Sequence, residues 1–506
     1  MIRDGKLYIA KSEKEIYLNP KMCNRHGLIA GATGTGKTVT VKVIAESLSA
    51  MGVPTFMADI KGDISGMCEP GTDSESMQKR LDKFEIRDIF QYRSYPTHFW
   101  DVYGDKGHPV RVSVKRMGPQ LLARVLGLTD VQTGVLQILF KVAEDNEMKL
   151  VDLKDLQSML IYIGENSKEL TLKYGNVSTA SVGAVQRALL TLESEGAEKF
   201  FGEPSIDIKD WFRTDFDGRG FMNILHAVEL VKNPLLYSTF MLWMLTEIYE
   251  TMPEVGDLDR PRMVFFFDEA HLLFNGAPAA LTQKIEQTVK LIRSKGIGVF
   301  FISQSPGDIP DNVLAQLSNR IQHALRAYTP NEQKAVKTAA NSFRDNPDLN
   351  EADAIYELGV GEALVSFLDD EGIPMIVERA KILPPESKMA ECSNESRLNA
   401  INSSEFELKY RESVDDESAF EVLAAEREKD EAEKAEAEAK AAQEKAEKEA
   451  AKAKEKAERE AAKEKNKKKS KAKKLGDKVA NTALNTTTRY LTNKVINKVF
   501  GSIFKK

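Results

Sequence analysis

The chain has 506 residues, 42% of them hydrophobic and 29% charged, with a formal net charge of −6. That length holds about two to four domains and a large core. Three scattered cysteines, Cys23, Cys68 and Cys392, exclude a disulfide framework or a zinc site and fit a reducing, cytoplasmic setting. No apolar run reaches the length of about 18 residues that a membrane span needs, and the N-terminus has no apolar signal core.

In chain order, about 27 residues with room for a small hairpin precede the apolar run Leu28-Ile29-Ala30. Then comes Gly31-Ala32-Thr33-Gly34-Thr35-Gly36-Lys37-Thr38, which fits G-x-x-x-x-G-K-[ST] at every specified position. A stretch free of Gly and Pro, Val39 to Ser49, predicts a helix after it. Strand, glycine loop and helix together define a phosphate-binding loop. Its glycines let backbone N–H groups curl around phosphates, and the helix points its positive end at them. Lys37 is expected to reach the β- and γ-phosphates of a nucleotide, and Thr38 to place its hydroxyl on Mg²⁺.

Val53 to Ile60 predicts a second strand, ending near Asp59 and followed by Lys61, Gly62 and Asp63. Apolar spacing from Gln120 to Gly164 and from Ser178 to Ser194 predicts helices between Asp63 and Phe221, read as a helical insertion. A strand near Gly220 to Ala227 and a helix from Leu235 to Thr251 follow. Met263 to Phe267 is an uninterrupted apolar run, as a strand buried on both faces requires, and it ends in Asp268-Glu269. At the carboxyl end of such a strand Asp268 is expected to hold Mg²⁺ and Glu269 to orient or deprotonate a water. Ile297 to Ile302 ends in Ser303-Gln304-Ser305. Gln304 there either senses the γ-phosphate and positions the water or caps a nearby turn.

Ile321 to Ala327 is a further candidate strand, and Glu362 to Leu368 with Ile373 to Glu378 reads as a hairpin turning at Asp369-Asp370-Glu371-Gly372. Residues 386 to 417 are polar and predict a linker. Residues 418 to 474 are rich in Ala, Glu and Lys with i, i+4 charge pairs. Leu, Ile and Val are scarce after Leu423, so a single charged helix or a disordered tail is favoured over a coiled coil. Residues 475 to 506 repeat apolar residues every four, at Leu491, Val495, Val499 and Ile503, with a basic face, which predicts an amphipathic helix suited to docking a protein. Charge is uneven. Residues 451–506 carry 18 Lys/Arg against 5 Asp/Glu, residues 421–450 carry 6 against 11, and residues 1–420 carry a net −14. An acidic body does not advertise a nucleic-acid protein.

The segments Gly31–Thr38, Ala58–Asp63, Phe267–His271 and Phe301–Pro306 together resemble the HerA–FtsK superfamily of ATP-driven translocases. Within it they are most similar to bacterial HerA-like ATPases of the YjgR type. The resemblance covers residues 1 to 385, with a weaker echo at the C-terminus. It implies an α/β, RecA-like P-loop core with a mostly parallel sheet and a mainly helical insertion, to which the composition adds a long charged C-terminal helical tail. The core divides into 1–66 and 220–385, with 67–219 as the insertion. The resemblance also implies ATP and Mg²⁺ as cofactors and a homo-oligomeric ring, expected to be a hexamer. Gly31 through Thr38 would bind nucleotide, Thr38 and Asp268 would bind metal, and Glu269, Gln304, Asp59 and Arg293 would form the catalytic set. Arg293 stands where the superfamily has an arginine acting on the neighbouring subunit, with Arg320 the runner-up. The β-barrel that precedes the ATPase in HerA translocases is expected to be missing or supplied elsewhere. A DNA translocase is the first expectation. The alternative is an ATP-dependent switch that remodels protein partners through its tail.

Overall fold

Each apolar run divides its side chains between two sides of one sheet, and that alternation builds the domain. The computed structural model describes residues 1–474 apart from 257, 275–278 and 327–328. The predicted amphipathic helix at 475–506 lies outside the described residues. The strands are β1 (Ile2–Arg3), β2 (Lys6–Lys11), β3 (Glu15–Leu18), β4 (Gly27–Ala30), β5 (Thr55–Asp59), β6 (Thr97–Asp101) and β7 (His108–Pro109). They continue as β8 (Met222–His226), β9 (Met263–Phe267), β10 (Ile297–Ser303), β11 (Asn319–His323), β12 (Glu362–Ser366) and β13 (Glu378–Ile382).

Their order across the sheet is β1-β2-β13-β12-β11-β4-β10-β9-β5-β8-β6-β7, with β3 paired to β2. From β11 to β7 every neighbouring pair is parallel. β12, β13 and β2 extend that sheet antiparallel. The mostly parallel α/β architecture expected from the sequence is therefore present, and the phosphate-loop strand β4 sits inside it, flanked by β10 and β11.

Leu28, Ala30, Phe56, Phe265, Phe267 and Phe301 face one core, whereas Ile29, Met57, Phe266, Phe300 and Ile302 face the other. This period-two division of continuous apolar runs is what a parallel sheet covered on both sides requires. Helix α1 (Lys37–Ala50) and helix α2 (Glu75–Phe84) contribute Val41, Ile44, Leu48, Met77, Leu81 and Phe84 to the second core. The first is covered by helices α3 (Val114–Val125), α4 (Asp130–Asp145), α5 (Leu153–Glu165), α6 (Ser167–Tyr174), α7 (Thr179–Ser194) and α8 (Pro234–Thr251).

Three expectations are corrected. The mainly helical stretch 67–219 also gives the sheet a strand not expected from the sequence: Thr97–Asp101 pairs in parallel with β8, and helices follow from Val114. This strand is short and follows Pro96, which hides it from pattern reading. The second hairpin strand is Glu378–Ile382 rather than Ile373–Glu378, because Ile373 and Ile376 face solvent while Ala380 and Ile382 are buried. The turn itself is as read, with Gly372 at φ +82°.

The stretch 386–417 is not a free linker. Glu386 N and Ser387 N donate to the buried Glu46 carboxylate at 2.8 and 3.0 Å. Tyr410 Oη donates to Asp210 at 2.5 Å. Phe406 packs beside Trp100 at 5.2 Å between ring centroids. A polar average concealed these few anchors. The body comprises residues 1–424. From residue 425 the chain is helical to Lys474, and every side chain from 425 to 465 is exposed. Pairs such as Glu436–Lys440 at 2.6 Å are its internal support.

Candidate active site

The loop is held open by its neighbours. Gly31 N donates to Ser303 O of β10 at 3.2 Å, and Ala32 N to Ala324 O at 2.8 Å. Gly36, at φ +112°, caps α1 with no side chain of its own, so the first-turn N–H groups stay available to an anion. Behind the loop, buried His323 pairs with Thr40 Oγ1 at 2.8 Å and Glu362 O at 2.9 Å. Burial pushes its pKa down to about 4, so it is a neutral brace. A side-chain carbon at Gly31 would stand 2.5 Å from His323 Cβ, which requires glycine there.

Lys37 is buried and donates to the loop carbonyls Gly31 O at 2.5 Å and Ala32 O at 3.2 Å. Burial, with the Lys61 charge nearby, lowers its pKa. Thr38 follows it in the first turn of α1 and is half-buried.

Asp268 and Glu269 leave the end of β9, two strands from the loop. Glu269 adopts the left-handed conformation (φ +45°, ψ +50°) and is buried, and its N–H donates to Asp268 Oδ1 at 2.9 Å. A non-glycine residue in this region is strained, and such strain gathers at functional turns. Glu269 Oε2 accepts from Gln304 Nε2 at 3.2 Å, and its Oε1 lies 2.8 Å from Lys61 Nζ. Lys61 also lies 3.8 Å from Asp268 Oδ2. Burial raises the pKa of Asp268. Burial acts in the same sense on Glu269, but the hydrogen bond and charge of Lys61, with Gln304, outweigh it and hold that carboxyl below the ordinary value.

The structure thus brings Glu269, Gln304 and Asp268 together at one edge of the sheet. Asp59 ends β5 at the same edge, but its oxygens accept from Gly62 N at 2.8 Å and Ser65 N at 3.1 Å. It clamps the turn that carries Lys61. Arg293 is half-buried ahead of β10, at the opposite edge. The seven residues of β10 separate it from Gln304, roughly 20 Å at about 3.3 Å per residue, beyond reach of its own chain's loop. Arg320 donates to the carbonyls of Leu317, Ser342 and Leu314. Sequence reasoning assigned no role to Lys61 or His323. The signal for Lys61 was its place just past a strand end at the ligand edge.

Asp59 gives the site a pH signature. Burial, with the Asp63 charge, pushes its pKa up to about 7 against backbone hydrogen bonds that lower it. Between about pH 4 and 7 the folded chain keeps a proton that the unfolded chain has lost, so this group makes stability decline as pH rises through that window. Above about pH 7 the penalty is complete, and below about pH 4 it vanishes. Asp59→Asn is expected to flatten that decline in urea unfolding at pH 5 and pH 7. An unchanged slope would show that the carboxyl titrates alike in both states.

The residues fit a magnesium–nucleotide complex. One hydroxyl and one carboxylate, Thr38 and Asp268, suit a hard cation that takes most of its remaining oxygens from phosphate and water. No cluster of three or more His, Cys, Asp or Glu occurs among the described residues to hold an ion without them. A glycine loop on a central parallel strand, with paired carboxylates two strands away, defines a P-loop nucleotide site.

The sequence profile of the Helicase HerA-like C-terminal family matches residues 5–506, and the chain belongs to that family. It is 22% identical over 386 residues to the DNA double-strand break repair helicase HerA of Sulfolobus acidocaldarius, covering 72% of this chain and 66% of that one. To the protein of the same name from Sulfurisphaera tokodaii it is 24% identical over 376 residues, with the same coverage. The chain therefore spans 66% of the length of these relatives. Among solved structures, the plasmid coupling protein TrwB in complex with the ATP analogue ADPNP aligns with TM-score 0.49 and 16% identity, over 73% of this chain and 89% of that one. VirB4 of Thermoanaerobacter pseudethanolicus aligns with TM-score 0.47 and 15% identity, over 78% and 99%. No helix among the described residues is long and apolar enough to cross a membrane.

Proposed function

We propose that this chain is a Mg²⁺-dependent ATPase, the motor of a cytoplasmic homo-oligomeric ring that moves on duplex DNA. The observation that carries the ATPase reading is the Glu269–Gln304 contact, made at the sheet edge that bears the phosphate loop. Lys37 and the loop N–H groups hold the β- and γ-phosphates, and Thr38 and Asp268 hold the metal. Bound Mg²⁺ would neutralise charge on the phosphate oxygens. Glu269 takes a proton from the attacking water as the water oxygen bonds to the γ-phosphorus and ADP departs. Gln304 fixes that water and reports the loss of the γ-phosphate.

Arg293, remote from its own loop, acts on the site of the adjoining subunit, and six subunits close the ring. DNA as the track is supported by family membership and by relatives named DNA double-strand break repair helicases. Long duplex DNA is expected to raise ATP turnover several-fold at low salt, the effect fading steeply between about 50 and 200 mM. Turnover indifferent to DNA would overturn the motor. It would favour the switch suggested by the acidic body, in which the tail recognises a protein.

A further inference from the structure

We propose that Lys61 is a second phosphate-sensing lysine, which pairs with Glu269 and exchanges it for the terminal phosphate of a nucleoside triphosphate. This rests on the ATPase reading above and deepens it. Both oxygens of Glu269 are engaged, one by the Lys61 ammonium at 2.8 Å and the other by Gln304 at 3.2 Å. His271 Nδ1 lies 3.4 Å from the second oxygen. A carboxylate so surrounded is a poor acceptor for a water proton, so the base is restrained until Lys61 leaves.

Lys61 is built to leave. Its backbone is fixed, because the Asp59 carboxylate clamps Gly62 and Ser65 and Gly62 sits at φ +87°. Its side chain is 41% exposed, so a flexible four-carbon stem swings from an anchored root. Its charge is felt at Lys37, which donates to the loop carbonyls of Gly31 and Ala32. Two cations that feel one another's charge favour the arrival of a polyanion.

The geometry also decides which phosphate each lysine reads. Lys37 stands inside the loop, on the carbonyls of Gly31 and Ala32. Lys61 stands at the carboxylates beside Gln304, where the γ-phosphate must lie for Glu269 to activate the water that attacks it. A diphosphate fills the loop and leaves Lys61 on Glu269. A triphosphate offers Lys61 a more highly charged acceptor and frees the base in the same movement. Restraint and release are then tied to the presence of the group to be hydrolysed.

The test is equilibrium titration of the full chain with Mg²⁺ and either a fluorescent non-hydrolysable ATP analogue or fluorescent ADP. Wild type, Lys61→Ala, Lys61→Gln and Lys61→Arg are compared. Loss of one charge-assisted contact corresponds to roughly tenfold or more in affinity. Lys61→Ala and Lys61→Gln should weaken the analogue by that factor and change ADP by less than about threefold, with Lys61→Arg partly restoring the analogue. An analogue-to-ADP ratio equal to that of wild type in both neutral variants overturns the proposal. Equal loss of both nucleotides overturns it as well, because Lys61 would then only shape the site. A wild-type chain that binds neither nucleotide would instead overturn the ATPase reading itself.

Discussion

Glu269→Gln is expected to reduce ATP turnover by roughly 10²- to 10⁴-fold, the range lost with a general base, while nucleotide affinity survives. The amide has the size of the carboxylate and meets the same left-handed backbone, so the turn after β9 is retained. The phosphate loop lies on another strand and keeps its own supports, namely the bonds from Gly31 to Ser303 and from Ala32 to Ala324. What disappears is the ability to take a proton and the partner of Lys61. Steady-state turnover beside fluorescent-nucleotide titration separates these effects. Residual turnover above about a tenth of wild type would show that another group activates the water.

Phe406→Ala is expected to cost about 3–5 kcal/mol in folding stability, the range for emptying a buried aromatic site. The ring is 1% exposed and lies among His98, Trp100 and Tyr410, with the Arg213 guanidinium 5.0 Å from its centroid. Removing it leaves a cavity walled by large aromatic groups that cannot collapse readily. Leu398→Ala is the control, because Leu398 is 55% exposed in the same polar stretch, and a surface change of this kind falls within about 0.5 kcal/mol. Thermal and urea unfolding of both variants measure the difference. Equal, small effects would mean that 386–417 is the loose connection its composition suggests.

What could be read from the sequence follows a physical division. Runs such as Met263–Phe267 and Ile297–Ser303 are apolar because both faces are covered, so they are visible as strands without knowing their partners. The loop, Asp268, Glu269 and Gln304 are legible because each stands next to such a run. Lys61 also stands just past a strand end, but nothing in the sequence marks its contact with Glu269, which joins positions 208 residues apart. Phe406 and Tyr410 are two anchors in a polar segment whose average hides them. Thr97–Asp101 belongs to the sheet through neighbours on both sides rather than through any pattern of its own.

The antiparallel extension of the sheet has a consequence for synthesis. Strand β2 completes only when Ala10 and Lys11 meet Ile382 and Lys381, about 370 residues later in the chain. At a translation rate of about 5–20 residues per second, its edge waits roughly 20–70 s for its partner. During that interval Ile9 O and the Ala10–Lys11 backbone lack their distant partners, while Leu7 and Tyr8 are already paired by β1 and β3. The nascent chain therefore carries one unpaired stretch of β2 until most of the domain has left the ribosome, and closure of the sheet is a late folding event.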